Sequence, residues 1–138
     1  KHFVAQRWVE AKQDIDEALS HTPKDPEMIV LSAWIQFNIP SRDESRKLRQ
    51  IKSQLLVGIT LSSQLPDAHY YLGRVAEAQR DYKEAVTCYR DCLKISATFT
   101  PAIERMKALE SMGLLKQLSK NRGDKEGLMD KFIRRFEK

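Results

Sequence analysis

The chain has 138 residues, of which 41% are hydrophobic and 31% charged, a composition typical of one folded domain. Five glycines, five prolines and 8% aromatic residues exclude a collagen-like or disordered chain, and the apolar runs are too short to span a membrane. The net charge of +5 comes entirely from residues 105–138, because residues 1–104 carry 14 basic and 14 acidic side chains.

Hydrophobic residues recur with helical spacing between breaks that contain proline or polar clusters. The chain begins Lys1-His2-Phe3 without a methionine, so we expect a processed product or an excised fragment. No segment shows the alternation of a β-strand, and the sequence therefore predicts an all-α fold. In chain order, the predicted helices cover residues 3–20, 26–38, 44–62, 67–79, 82–96, 101–117 and 126–137.

Three of these helices share a pattern: a small residue and then an apolar one near the helix end, followed by a polar or proline-containing turn. The pairs are Ala18-Leu19, Gly58-Ile59 and Cys92-Leu93. Gly58 and Cys92 lie 34 residues apart, whereas Ala18 and Gly58 lie 40 apart because the loop IPSRDES lengthens the middle unit. The spacing predicts a repeated helix-turn-helix unit.

The third unit resembles the tetratricopeptide repeat, whose pattern has Leu-Gly, Tyr, Asp-Tyr, Ala, Phe and Ala-Leu. The matching residues are Leu72, Gly73, Ala76, Asp81, Tyr82, Ala85, Tyr89, Cys92 and Leu93. His69 stands where the family usually has tryptophan, and Ala97 where it has proline. The first unit keeps only its second helix, and Ala33 replaces the glycine of the second unit, so the resemblance covers about residues 5–110.

The resemblance implies a right-handed superhelix of antiparallel helix hairpins, a TPR-like α-solenoid of about three repeats plus C-terminal helices. We expect a repeat domain over residues 1–117, with units at about 1–25, 26–65, 66–99 and 100–117. A flexible linker, 118–127, and a basic amphipathic helix, 128–138, would follow. Because a glycine inside a helix costs roughly 1 kcal/mol relative to alanine, Gly73 predicts a close crossing of two helices.

In such a solenoid the first helices of successive hairpins line a concave face. Here that face would carry apolar and aromatic side chains with Arg74 at one edge, the composition of a protein-binding hot spot. We therefore predict a groove that binds a peptide or helix of a protein partner. The alternative is that another helix packs there and makes Trp34 and Phe37 ordinary core. The predicted groove residues are Val30, Leu31, Trp34, Phe37, Asp67, Tyr70, Tyr71, Arg74 and Glu77.

Some tetratricopeptide domains hold a chaperone's C-terminal carboxylate with lysine and asparagine side chains on this face. The matching positions hold Leu31, Trp34, Asp67 and Tyr71, so the resemblance implies an apolar ligand instead. The chain also resembles repeat regions of multidomain bacterial proteins, where such regions follow a J-type co-chaperone domain or a signalling receiver domain. This second resemblance implies a co-chaperone-like scaffold and fixes no activity.

The last segment, EGLMDKFIRRFEK, places apolar side chains on one helical face and basic side chains around it. Three fates are open: it caps the last hairpin or fills the groove, it binds a partner helix, or it lies on an anionic membrane surface. Recruitment of a parent protein to a membrane surface is therefore the alternative function, and self-association through repeat ends or this tail is a further alternative. The interacting tail residues would be Phe132, Ile133, Arg134, Arg135 and Phe136.

No pattern in the sequence indicates catalysis, because HExxH, CxxC and glycine-rich phosphate-binding motifs are absent. Cys88 and Cys92 share a helix face at a spacing that suits a disulfide poorly, so we expect free thiols and a reducing cytoplasmic location. A metal site that includes His69 is the alternative to packed thiols. We predict a non-enzymatic protein without cofactor or metal, and nucleic-acid binding is not expected since basic and aromatic residues do not interleave.

Overall fold

The computed structural model describes the backbone of residues 2–113 and the side chains of residues 6–113. Every regular element in this range is a helix, and the predicted all-α fold is confirmed. The six helices are α1 His2–His21, α2 Pro26–Phe37, α3 Glu44–Leu61, α4 Pro66–Ala78, α5 Tyr82–Ile95 and α6 Thr100–Ser111.

The helices form two hairpins, α2–α3 and α4–α5, which pack side by side between α1 and α6. Each helix contacts the next one along the chain, as expected for an α-solenoid in which neighbouring units share their core. The first helices of the two hairpins, α2 and α4, also contact each other directly. A surface shared by α2 and α4 can therefore collect side chains from both hairpins.

Aspartate and proline residues set where the helices begin. Asp25, Asp43 and Asp81 precede α2, α3 and α5, and each carboxylate accepts hydrogen bonds from backbone N–H groups in the first turn. α2 and α4 begin at Pro26 and Pro66, where a helix needs no N–H donor. Helices α1 to α5 begin and end within one residue of the predicted bounds, and these local signals explain where α2 to α5 begin.

The helix α6 ends earlier than the sequence pattern predicts. It ends at Ser111 instead of continuing to residue 117. Gly113 follows with a φ of 78°, the left-handed conformation in which helices commonly end. The sequence pattern predicts a longer helix because Leu114 and Leu115 continue the apolar spacing beyond this glycine.

The predicted linker, 118–127, and the predicted C-terminal helix, 128–138, lie outside the described residues. The same holds for the proposed tail residues Phe132, Ile133, Arg134, Arg135 and Phe136. Their three alternative fates therefore stay predictions, as does the division of the chain into a repeat domain, a linker and a tail.

The core consists of two clusters of buried side chains. One cluster joins α2, α3 and α4 with Cys88 of α5 and includes Ala33 and Leu55. The other joins α4, α5 and α6 and includes Tyr89 and Leu109. Helix α2 is apolar on most of its sides because α1, α3 and α4 all pack against it.

Gly73 is buried where α4 crosses α5, as the sequence predicts. A Cβ atom at Gly73 would lie 2.6 Å from Cδ1 and 2.7 Å from Cζ of Tyr89, far closer than van der Waals contact allows. Tyr89 is itself fully buried, so its ring has little room to retreat. The missing side chain at Gly73 is therefore what lets the tyrosine ring fill the space between the two helices.

Candidate protein-binding face

The structure divides the predicted groove residues into an exposed group and a buried group. Leu31 is 45% exposed, and Asp67 is also exposed. Trp34, Phe37, Tyr71, Arg74 and Glu77 are half-buried. Val30 and Tyr70 are only 3% and 9% exposed and belong to the core clusters. We call the surface formed by Leu31, Trp34 and Phe37 of α2 with Tyr71 and Arg74 of α4 the aromatic face.

The rings of the aromatic face stack across the contact between α2 and α4. Trp34 stacks on Phe37 with the ring centroids 5.2 Å apart, and on Tyr71 with the centroids 4.4 Å apart. The rings in these pairs are nearly parallel, at 10° and 9°. Stacked aromatic rings contribute beyond their buried area and hold one another in place. Each ring of the aromatic face therefore limits the movement of its neighbour.

The guanidinium of Arg74 lies against these rings. Its guanidinium carbon is 5.8 Å from the Trp34 ring centroid and 6.0 Å from that of Phe37, within the range of cation–π attraction. Its Nη1 donates a hydrogen bond of 3.1 Å to the Tyr70 hydroxyl. Because a guanidinium has five N–H donors, Arg74 keeps donors for a carbonyl or carboxylate of a ligand.

Glu77, one of the predicted groove residues, is engaged within the protein. Arg105 of α6 donates from Nε to Glu77 Oε2 at 2.9 Å and from Nη2 to Oε1, and the Tyr89 hydroxyl donates to Oε2. Burial acts to raise the pKa of Glu77, but the hydrogen bonds from Arg105 and Tyr89 outweigh it and hold this pKa below its ordinary value. Glu77 therefore joins α4, α5 and α6.

Val30 and Tyr70 are covered because the second helix of each hairpin offers them space. Gly58 of α3 leaves room for the Val30 side chain, because a Cβ atom at Gly58 would lie 2.7 Å from Val30 Cγ2. Tyr70 packs in the same core cluster as Cys92, and its ring also lies 5.5 Å from that of Phe99. Both residues support the aromatic face from beneath, and little of either side chain reaches its surface.

A cavity of about 340 Å³ lies at one end of the aromatic face, beside the N-terminal ends of α2 and α4. Its lining is apolar and aromatic with two carboxylates, and consists of Glu27, Val30, Leu31, Leu65, Pro66, Asp67 and Tyr71. Burial, with smaller contributions from Asp67 and Tyr70, raises the pKa of Tyr71 to about 12. The Tyr71 hydroxyl therefore stays protonated at neutral pH.

Sequence reasoning missed two features near the predicted site. Arg105 lies 34 residues after Tyr71, so the repeat spacing itself could have placed Arg105 on the same row of side chains. On α3, which does not contribute to the aromatic face, Leu56, Val57 and Leu61 are 46%, 51% and 44% exposed. Helical spacing alone did not separate these residues from the buried side of α3.

The metal site weighed as an alternative can be compared with the described side chains. Among the side chains of residues 6–113, no group of three or more His, Cys, Asp or Glu residues is placed to hold a metal ion. Cys88 and Cys92 are free and buried, and burial, with nearby carboxylates, raises the pKa of both thiols to about 12. No helix in this range is long and apolar enough to cross a membrane.

Comparison with known proteins finds a family match for the α4–α5 hairpin, which contributes Tyr71 and Arg74 to the aromatic face. Residues 66–99 match the family model described as tetratricopeptide repeat, and the predicted resemblance of the third unit to this repeat is confirmed. The resemblance to repeat regions of multidomain bacterial proteins stays a prediction. No curated protein shows significant similarity to the chain. A solved structure described as "Crystal structure of MamA" is 16% identical with a TM-score of 0.46, over 94% of this chain and 86% of that chain.

Proposed function

We propose that this chain, which contains a tetratricopeptide repeat at residues 66–99, is a non-enzymatic scaffold whose aromatic face binds an apolar segment of a protein partner. Tetratricopeptide repeats generally mediate protein–protein interactions. The observation that supports the aromatic face as the binding surface is the stack of Phe37, Trp34 and Tyr71 with Arg74 beside it.

The composition and order of this surface favour binding. Tryptophan, tyrosine and arginine are the residues most enriched among those that dominate binding energy at protein interfaces. Because the rings already stack on one another, a partner would not have to immobilise them, and less conformational entropy would be lost on binding. Leu31, which is 45% exposed, extends the same surface toward the N-terminal end of α2. The surface thus combines an apolar centre with a cation at one edge.

The test compares two leucines of equal exposure on different helices. We expect Leu31→Lys to abolish retention of a partner from lysate of the source cells, because it places a charge at the edge of the aromatic face. Leu56→Lys is the matched control, since Leu56 is 46% exposed and belongs to α3. Arg74→Glu, which reverses the charge beside Trp34, should act like Leu31→Lys. Circular dichroism of each variant verifies that it is folded.

A protein retained by the wild type and by Leu56→Lys, but not by Leu31→Lys or Arg74→Glu, would support the proposal. Equal retention by all four proteins would refute it and would place the binding surface elsewhere on the chain.

A further inference from the structure

We propose that the cavity between the N-terminal ends of α2 and α4 binds an arginine or lysine side chain of the partner segment. This inference rests on the proposed function, because it names the residue type that the aromatic face accepts at one end. The volume of about 340 Å³ is at the lower end of the range for ligand sites, roughly 300–1,000 Å³, and suits a single side chain.

The walls of the cavity match the aliphatic part of a basic side chain. Val30, Leu31, Leu65 and Pro66 provide apolar contacts on several sides. Arginine and lysine commonly bury their methylene groups along such surfaces while their charged ends stay near water. The ring of Tyr71 lines the same cavity and can attract a cation through its π electrons.

Two carboxylates supply the charge that a basic side chain requires. Glu27 lies in the first turn of α2 and Asp67 in the first turn of α4, and both residues line the cavity. Both residues are exposed, and neither forms an ion pair with a described side chain. A cation of the partner can therefore pair with them without displacing an existing partner.

The other charged groups near the cavity do not reverse its preference for a cation. The N-terminal ends of α2 and α4 carry partial positive charge. At α2, Asp25 accepts hydrogen bonds from the N–H groups of Glu27 and Met28, whereas at α4 no side chain caps the helix and Asp67 is the acidic residue of the first turn. Lys24 lines a neighbouring cavity that also contains Glu27, and Lys24 is exposed and forms no described ion pair with either carboxylate. The cavity thus presents two negative side chains and no positive one.

The charges also give the aromatic face a direction. Arg74 lies one helical turn after Tyr71 along α4, so the face has carboxylates at one end and a guanidinium farther along. A partner segment that fits would carry a basic residue, then apolar residues over Trp34, then an acidic or carbonyl group near Arg74. Such an arrangement distinguishes the correct orientation of the segment from the reverse one.

The experiment measures binding of small neutral and charged probes to the full chain by NMR. N-acetyl-arginine methylamide should shift the backbone amide signals of Leu31, Asp67 and Tyr71, with a Kd on the order of 1 mM. The citrulline analogue has nearly the same shape without the charge. We expect it to bind about five- to tenfold more weakly, because hydrogen bonds to a charged group contribute more than neutral ones. The norleucine and glutamate analogues test an apolar and an anionic occupant.

Variants of the two carboxylates complete the test. Glu27→Gln combined with Asp67→Asn should remove the preference for arginine over citrulline, whereas Glu104→Gln on α6 should leave it unchanged. These neutral replacements keep the size of exposed side chains, and an unchanged set of amide signals verifies that each variant is folded. Equal binding of arginine and citrulline, stronger binding of norleucine or glutamate, or arginine binding that survives in the double variant would overturn the inference.

The outcomes separate this inference from the proposed function. If partner retention depends on Leu31 and Arg74 while arginine does not bind the cavity, the proposed function stands and the inference is wrong. If arginine binds as expected while the Leu31 and Arg74 variants retain the partner normally, the aromatic face is not the binding surface. In that case the cavity would still be a cation-binding pocket, and the partner segment would not be its source.

Discussion

The α2–α3 and α4–α5 hairpins have the same architecture but distribute large and small side chains differently. In α4–α5, Gly73 on the first helix faces the large Tyr89 on the second. In α2–α3, the small residue is Gly58 on the second helix, and it faces Val30 on the first. Each close contact therefore pairs one small residue with one larger residue, and either helix can supply the small one. The volume of the pair matters more than the identity of either residue.

The turns of the two hairpins differ as well. Residues 79–81 connect α4 to α5, whereas residues 38–43 connect α2 to α3, and α3 has 18 residues against 14 in α5. The short turn requires a positive φ of 63° at Arg80. The long turn is held by Lys47, which is 6% exposed and donates hydrogen bonds to the carbonyl oxygens of Phe37 and Ile39. A tight turn is thus kept by backbone conformation and a long one by a buried side chain.

The largest expected effect comes from replacing Gly73 and Tyr89 of α4–α5 by the residues at the equivalent helix positions of α2–α3. Ala33 and Leu55 occupy the positions in α2–α3 that correspond to Gly73 and Tyr89. Gly73→Ala should lower the free energy of unfolding by about 1–3 kcal/mol through overpacking, and Tyr89→Leu by about 2–4 kcal/mol. The double variant should be more stable than the sum of the two effects predicts, by at least about 1 kcal/mol.

Chemical denaturation of the four proteins in this double-mutant cycle measures the coupling between the two positions. Simple additivity would show that Gly73 and Tyr89 do not compensate for each other, and the comparison of the hairpins would lose its basis.

Removal of the Lys47 ammonium should have the next largest effect. Lys47→Met leaves the carbonyl oxygens of Phe37 and Ile39 without their donor, and it should lower the free energy of unfolding by about 2–3 kcal/mol. Lys52→Met is the control on the same helix, because Lys52 is 36% exposed and its ion pair with Glu84 is worth at most about 1 kcal/mol. Similar stabilities of the two variants would mean that Lys47 does not hold the long turn.

The ion pair between Glu77 of α4 and Arg105 of α6 makes the stability of the protein depend on pH. Since the pKa of Glu77 is lower in the folded protein, its contribution is present above the ordinary glutamate pKa of 4.5 and is lost as the pH falls through the folded value. We expect the free energy of unfolding to fall less steeply below pH 4.5 in Glu77→Gln than in the wild type. Denaturation of the wild type and of Glu77→Gln at a series of pH values from about 6 to about 3 would measure this difference. Identical slopes would contradict the assignment.

The smallest expected effect concerns the short turn. Arg80→Gly should raise the free energy of unfolding by roughly 0.5–1 kcal/mol, because glycine adopts the positive φ of 63° without the steric penalty of a side chain. Gln79→Gly, at the neighbouring residue with a φ of −87°, should instead be neutral or destabilising. A loss of stability in Arg80→Gly would show that the arginine side chain makes a contact that outweighs the backbone strain.

Local signals in the sequence were enough to predict helices α1 to α5 and the close crossing of α4 and α5. Proline and aspartate mark the starts of α2, α3 and α5, and the energetic cost of Gly73 indicated the close approach to another helix. The repeat spacing also placed Trp34, Phe37, Tyr71 and Arg74 on neighbouring first helices, as the structure describes.

What the sequence could not predict depends on partners distant along the chain. Burial of Val30 follows from the space at Gly58 on another helix, and a helical pattern alone does not show which neighbour offers space. The engagement of Glu77 depends on Arg105, 28 residues away on α6. The cavity beside Tyr71 forms where the N-terminal ends of α2 and α4 come together, so no local sequence motif predicts it.

The central claim is that the aromatic face binds a protein segment, and site-specific photo-crosslinking tests it most directly. The photoreactive residue p-benzoylphenylalanine would replace Leu31 in one variant and Leu56 in another, two positions with exposures of 45% and 46%. Both variants would be irradiated in lysate of the source cells. We predict a covalent adduct with a partner protein from position 31 and none from position 56. An adduct from position 56 alone would contradict the account and would place the partner on α3.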